Sequence, residues 1–383
     1  MPTPGPPRTT TTSEKALAQA VLIHGPIARV ELAGMLGLSS SSLTRLVKPF
    51  LERGLLVEVD DRSTKSVGRP VRPLDVSPGL AHVAGVKLTA DTVYVAVTDV
   101  RAGLVASGEH TLRSHRPEDV ASAVAAAVRA AQVEPVTAVG IALGGAVSNG
   151  RVEFAPFLGW TDVPFAQLVE DRMGVPVVLE NDLVALAEAE RWFGLGRDIP
   201  GFVVITIGAG IGYGLVVHGE VVRSREAGVG LGGHIPLSAT GPLCAEGHRG
   251  CAQAMLTAGS IAAQVSAALQ RPVDYDEVLD LARAADPAAT AVVHAAADAL
   301  GLLVALATNL TMQPAAVLAG EGIALFGIAE DRVRSAIAAH RDPRADDVNL
   351  YVDESGFTAW ARGAAAVAIQ DAVDRLQLDP PAS

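Results

Sequence analysis

The apolar positions of the first quarter fall into three helical stripes and then two alternating runs. Leu17, Ala20, Val21 and His24 recur at helical spacing and stop at Gly25-Pro26, which predicts an amphipathic helix with a sharp end. Leu32, Met35 and Leu36 predict a second, short helix closed by Gly37. In SSSSLTRLVKPFLERG, Leu43, Leu46, Val47, Phe50 and Leu51 share one face, and Ser39 is placed to cap the start. The tight Leu36-Gly37-Leu38-Ser39 connection makes helices two and three a helix-turn-helix. After Gly54, LLVEV and VRPLDV alternate as strands joined by DDRSTKSVGRP, a wing with a charged tip.

From residue 80 the pattern changes to buried strands between Ala-rich helices. HVAGVKLTA and TVYVAVTDV read as a tight strand pair, LVASGEHTL as a third strand, 117–132 as a helix and VTAVGIALGG as a buried strand. Strand, glycine turn and strand recur in GFVVITIGAGIGYGLVVHGEVVRS, about 120 residues on, which predicts an internal duplication. Helices over 257–270, 289–309 and 358–377 would cover the sheets. The expected fold is α/β with two lobes and a cleft between them. Residues 1–13 are expected as a disordered tail and 14–76 as the winged helix-turn-helix. The first lobe is expected over 80–195, completed by helix 358–377, and the second over 196–357.

Charge divides along the same line. Residues 1–75 carry ten Lys/Arg against seven Asp/Glu, and the remainder carries twenty against thirty-five. A basic head on an acidic body predicts that only the head meets a polyanion. The opening MPTPGPPRTTTT lacks the apolar stretch of a signal peptide. No apolar run reaches the ~18 residues of a membrane span, and two cysteines suit a reducing compartment. A cytoplasmic protein without a membrane partner is expected.

Candidate chemistry sits in four places. On the third helix, Ser41, Ser42, Thr44, Arg45 and Lys48 lie away from the apolar stripe, as short hydroxyls and cations do on a helix that reads a DNA major groove. Arg69, held between Gly68 and Pro70, suits a narrow minor groove. The other reading of this module is a three-helix protein-interaction domain with a solvated charged face. In GLGGHIPLSATGPLCAEGHRGCAQ, Cys244 and Cys251 stand among His234, Glu246 and His248. Such a set can hold zinc, or the cysteines can pack as small hydrophobes. Glu180-Asn181-Asp182 ends a buried strand, where α/β folds bind ligands, and is equally a helix N-cap. GAGIGYG (208–214) can cradle phosphate or simply turn the chain. Trp160 in FAPFLGW can face a sugar or fill the core.

In this order, these stretches resemble the ROK family of repressors, open reading frames and sugar kinases, on the actin-like, ribonuclease-H-like fold. The likeness covers the chain after the tail. It rests on the Gly-Arg-Pro wing, the turn ending in Gly159-Trp160, the Glu-Asn-Asp triplet, the second glycine turn, and Gly-His followed by the cysteine loop. The resemblance implies structural zinc on His234, Cys244 and Cys251, with Glu246, whose carboxylate can ligate zinc more weakly than thiolate, where the family has a cysteine. It implies sugar hydroxyls on Asn181, Asp182 and His234, where Asp182 would be the base of a kinase. Leu231 and Gln253 stand at two family glutamate positions, Gln253 still within reach of sugar. Family kinases carry D-x-G-G-T where this chain has Lys87-Leu88-Thr89-Ala90-Asp91. Tyr213 replaces a usual glycine, and the adenosine-side run reads Ala319-Gly320-Glu321-Gly322. Phosphoryl transfer relies on positioning and charge neutralisation, so no ATP and no kinase activity are expected. The expected protein is a sugar-responsive repressor of carbohydrate genes, acting on double-stranded operator DNA as a homodimer or homotetramer. An active sugar kinase with a DNA-binding head, and a regulator with a vestigial sugar cleft, remain the alternatives.

Overall fold

The computed structural model describes residues 8–60 and 72–378, except 225, 227 and 229. β1 (Arg8–Thr9) leads into α1 (Thr12–His24), α2 (Arg29–Leu36) and α3 (Ser40–Glu52), then a hairpin of β2 (Leu56–Glu58) and β3 (Leu74–Val76). Leu17, Leu32, Leu43, Val47 and Phe50 close one small core. Gly37 ends α2 in the left-handed conformation (φ 63°), which a side chain would strain.

The first lobe runs through β4 (His82–Leu88), β5 (Thr92–Asp99), β6 (Leu104–Thr111), α4 (Pro117–Ala130) and β7 (Val136–Leu143). A small sheet of β8 (Ala146–Ser148), β9 (Arg151–Ala155) and β10 (Trp160–Val163) follows, then α5 (Phe165–Met173), β11 (Val177–Asn181) and α6 (Asp182–Phe193). The second lobe holds β12 (Phe202–Ile207), β13 (Ile211–Val217), β14 (Glu220–Val221), α7 (Ala252–Leu256), α8 (Ala258–Leu269), α9 (Tyr275–Arg283), α10 (Pro287–Thr311), β15 (Ala315–Ala319), α11 (Leu325–Ala339) and β16 (Asn349–Val352). α12 (Phe357–Asp374) and β17 (Gln377–Leu378) end the described chain.

The two large sheets follow one plan. Three strands form an antiparallel meander, and two more add in parallel to its first strand. The orders are β11-β7-β4-β5-β6 and β16-β15-β12-β13-β14. The repeat read from the strand–turn–strand pattern is thus a repeat of topology.

α12 lies against the first sheet almost backbone to backbone. A Cβ added at Gly85 would stand 1.8 Å from the Ala361 carbonyl oxygen, and one at Gly140 1.8 Å from that of Ala364. Two strand glycines and the alanines 361, 364, 365 and 368, all buried, are what so close a crossing requires. α10 is, against the expectation that no segment would be, long and apolar enough to cross a membrane by composition. Leu300, Leu303 and Val304 bury it instead in the second lobe's core.

Residues 8–13, expected within a disordered tail, are structured. Thr11 and Glu14 form a capping box that starts α1 at Thr12. β1 pairs antiparallel with β17, and Leu378 is fully buried in the N-terminal core. The head also docks on the body. Leu22 packs with Val83, Ala102, Ala138, Trp192 and Ile369. Arg101 donates to the Val21 and Gly25 carbonyls and pairs with Asp75.

Glu190 of α6 joins the lobes differently. Burial pushes its carboxyl up to about 7, offset by the Leu195 amide and reinforced by Asp353 just after β16. A folded pKa above the ordinary 4.5 means that the native state holds this proton more tightly than the unfolded chain. The group therefore favours folding most below the ordinary value, and stability falls as pH rises through the folded value. Glu190→Gln is expected to raise the melting temperature at pH 8, where it relieves a charge burial worth up to about 3 kcal/mol, and to give little gain near pH 5. Thermal melts at the two pH values check it; an equal gain at both would contradict the assignment.

Candidate ligand cleft, metal loop and nucleic-acid face

The cleft is built where β4, the β11–α6 junction and α12 meet. Asn181 ends β11 and caps α6. Its Oδ1 accepts from the Leu183 and Val184 amides at 3.0 and 3.2 Å, and its Nδ2 donates to the Gly145 carbonyl at 2.9 Å. One amide hydrogen is left for anything else. Asp182 opens the helix, accepting on Oδ1 from the Leu183 amide at 2.9 Å. Its Oδ2 is held by the ammonium of Lys87, which stands 5.0 Å from the Trp360 ring centroid. Lys87 is only 6% exposed. A buried ammonium needs a counter-ion, and Asp182 is that counter-ion.

The aromatic at this mouth is Phe157, not Trp160. Trp160 is buried, donates Nε1–H to the His115 carbonyl at 2.6 Å and packs 4.7 Å from the Phe165 ring. Phe157 is exposed, and its ring and Asp182 Oδ2 both border Gly144, 3.6 and 3.5 Å from a Cβ built there. Of the two roles open to Trp160, the core one holds, and the exposed ring of FAPFLGW is Phe157.

On the other side of the cleft, Glu321 reaches across from the turn after β15. Its Oε1 accepts from the Ala209 amide at 2.8 Å, within the glycine turn between β12 and β13. A Cβ on Gly208 would collide with the same carboxylate at 2.1 Å. An acid thus occupies the donor that an anion would use. Tyr213 packs against Gly232, leaving 2.8 Å between its Cβ and a Cβ built on that glycine.

The short turn Leu231–His234 carries the first metal-loop residue. Leu231 is exposed, and Gln253 Oε1 lies 3.6 Å from a Cβ built on Gly233. The loop folds back through bridges Pro236–Cys251 and Leu243–Arg249, with the Cys244 amide donating to the His248 carbonyl at 3.0 Å. Gly247 turns it at φ 85°. His234, Cys244 and Cys251 converge, with ligand atoms all within 4.8 Å of one another. Two thiols and an imidazole suit zinc. The Cys244 thiol donates to Glu246, and that bond holds the Glu246 carboxyl below its ordinary range.

On α3, Ser41, Ser42, Thr44, Arg45 and Lys48 are all exposed on the face opposite Leu43, Val47 and Phe50. Ser39 caps the helix through the Ser42 amide at 3.2 Å and bonds the Ser41 and Ser42 hydroxyls at 3.0 and 2.9 Å. Thr44 donates to the Ser40 carbonyl at 2.8 Å, and Lys48 pairs loosely with Glu52 at 3.6 Å. Arg45 is exposed on the same face. Arg69 lies outside the described residues.

Comparison with known proteins places these features in context. The ROK family profile matches residues 83–371. The xylose repressor of Bacillus spizizenii is 23% identical over 374 residues, covering 96% of this chain and 97% of that protein. A solved ROK family transcriptional regulator, a homologue of the Escherichia coli Mlc protein, matches 95% of this chain and 97% of its own at a TM-score of 0.79 and 24% identity. A ROK family glucokinase from Streptomyces griseus, solved with glucose and AMPPNP, matches over its whole length at a TM-score of 0.66 and 25% identity, but covers only 76% of this chain.

Proposed function

The chain belongs to the ROK family, and from that membership we propose that it is a sugar-responsive transcriptional repressor of carbohydrate uptake or metabolism genes. The observation that carries this reading is the pairing of Lys87 with Asp182 in a chain that begins with an exposed, cation-bearing helix α3. The Lys87 ammonium already occupies Asp182 Oδ2, an oxygen that a kinase would turn toward the sugar hydroxyl. With Glu321 on the glycine turn, the polyphosphate side of the cleft carries an acid where ATP needs donors. The sugar side keeps its polar groups: Asp182, the remaining Asn181 hydrogen, His234 and Gln253, with Phe157 as an apolar wall. Zinc on His234, Cys244 and Cys251 would fix the His234 ring through Nδ1 and leave Nε2 for a sugar hydroxyl.

In this reading α3 enters the major groove of operator DNA, with Arg45 on base edges or phosphate, Lys48 on phosphate, and Ser41, Ser42 and Thr44 beside them. Arg69 serves the minor groove. Two heads of a homo-oligomer in the cytoplasm would read an approximately palindromic site. α12 supplies the link. Trp360 touches the Lys87 ammonium, Arg362 donates to the Ala102 carbonyl, and Ile369 packs with Leu22 of the head. Sugar acts by favouring one spacing of the heads over the other through differential affinity.

Arg45→Ala is expected to weaken binding to a selected operator duplex about 10- to 100-fold, with a shallower salt dependence. Fluorescence anisotropy across a salt series measures both. The same preparation, incubated with ATP and a panel of hexoses, is expected to form no sugar phosphate. Robust turnover with any hexose would replace this reading with a kinase carrying a DNA-binding head.

A further inference from the structure

We propose that His248, and not Glu246, supplies the fourth ligand of the zinc loop, making the site His234, His248, Cys244 and Cys251. The proposal rests on the zinc reading of that loop and adds the residue that completes it. Its basis is distance. His248 Nδ1 lies 3.1 Å from His234 Nδ1 and 3.6 Å from Cys244 Sγ, and Cys244 Sγ lies 3.9 Å from His234 Nδ1. Zinc bonds of about 2.0–2.1 Å to nitrogen and about 2.3 Å to sulfur, at tetrahedral angles, place two nitrogens about 3.3 Å apart and a nitrogen and sulfur about 3.6 Å apart. The three measured edges fit one face of such a tetrahedron, and Cys251 closes on it through His234 and Cys244, whose ligand atoms lie within 4.8 Å of its own. Both imidazoles turn the same nitrogen toward one point, their ring centroids 4.6 Å apart and tilted by 53°.

The backbone explains the choice. The Leu243–Arg249 bridge and the bond from the Cys244 amide to the His248 carbonyl make Cys244 and His248 a facing pair across a tight loop. Side chains of facing residues lie on one side, so His248 follows Cys244 toward His234. Glu246 stands at the corner between them, where the Gly247 amide bonds back to the Cys244 carbonyl at 3.0 Å, and it is exposed. Two histidines and two cysteines are also a closed structural set, whereas carboxylate is the weaker partner in a sulfur-containing site.

The test uses full-length protein, stripped of metal and reloaded with Zn²⁺ or Co²⁺. Zinc affinity comes from chelator competition, and donor identity from X-ray absorption and the Co²⁺ visible spectrum. The wild type is expected to take one zinc with two sulfur and two nitrogen donors. His248→Ala should weaken zinc at least tenfold, since a lost ligand costs no less than the ~10–100-fold of an outer-shell partner. His248→Cys should restore tight binding with a third sulfur donor, which also shows that the position itself ligates. Glu246→Gln should leave affinity and spectrum unchanged. Loss of zinc in Glu246→Gln with retention in His248→Ala overturns the assignment alone. A wild type that takes up no zinc overturns it together with the zinc reading of the loop.

Discussion

Lys87→Met is expected to lower folding stability by about 3 kcal/mol, and Lys87→Met/Asp182→Asn to recover most of that loss. Lys87 and Asp182 are 8% and 18% exposed at the side chain. Removing one ion strands the other largely cut off from water, the situation in which breaking a buried pair costs about 3–5 kcal/mol. Asp182 retains some solvent, so the lower end applies. Methionine keeps the length of the lysine stem and its packing beside Trp360. The variant therefore isolates charge from volume. Asparagine removes the stranded charge while still accepting from the Leu183 amide. Urea unfolding of the wild type, both single variants and the double variant gives the coupling directly. A double variant no more stable than Lys87→Met would mean that the pair is not what holds Lys87 in the cleft.

Truncation after Arg375 is expected to abolish operator binding, by at least about 100-fold, while leaving sugar affinity unchanged. The deletion removes Leu376, which packs against the head's core, and Leu378, which is fully buried within it. Each buried leucine truncated to alanine costs about 2–5 kcal/mol, and a small core built on Leu17, Leu32, Leu43, Val47 and Phe50 has little to spare. The bonds from the Thr10 amide to the Leu376 carbonyl and from Arg53 to the Gln377 carbonyl go with it. The cleft residues belong to other elements and keep their supports. Anisotropy with operator DNA and calorimetry with sugar read the two halves separately. Undiminished DNA binding would show that β17 is dispensable to the head.

Much of this was legible in the sequence because it is periodic. The stripe Leu43, Val47, Phe50 fixes α3 and thereby its exposed face. The buried runs HVAGVKL and FVVITI announce equivalent strands, and the strand–turn–strand pattern they share announces the repeat. What was not legible is contact between residues without a pattern. Lys87 and Asp182 are 95 positions apart, so the loss of an acid in the first hairpin was visible but its new partner was not. β1 and β17 have two residues each, too few for any alternation to show, so the segment before α1 read as tail. His248 was one of several polar residues near two cysteines until the Leu243–Arg249 bridge set which side chains face. Trp160 and Phe157 show the same limit: composition marks an aromatic turn, and only packing decides which ring is core. α10 shows it for hydropathy, since a core helix and a membrane helix are written alike.

A sugar bound in the cleft is expected to change the affinity of the N-terminal head for DNA. The most direct measurement is binding of the full-length protein to a promoter fragment from its own locus, titrated with and without saturating sugars and sugar phosphates whose own binding is followed by calorimetry. The account predicts tight, salt-dependent DNA binding and at least one sugar that shifts it about tenfold or more, equal to ~1.4 kcal/mol of coupling. DNA affinity unchanged by a sugar that demonstrably occupies the protein would contradict it.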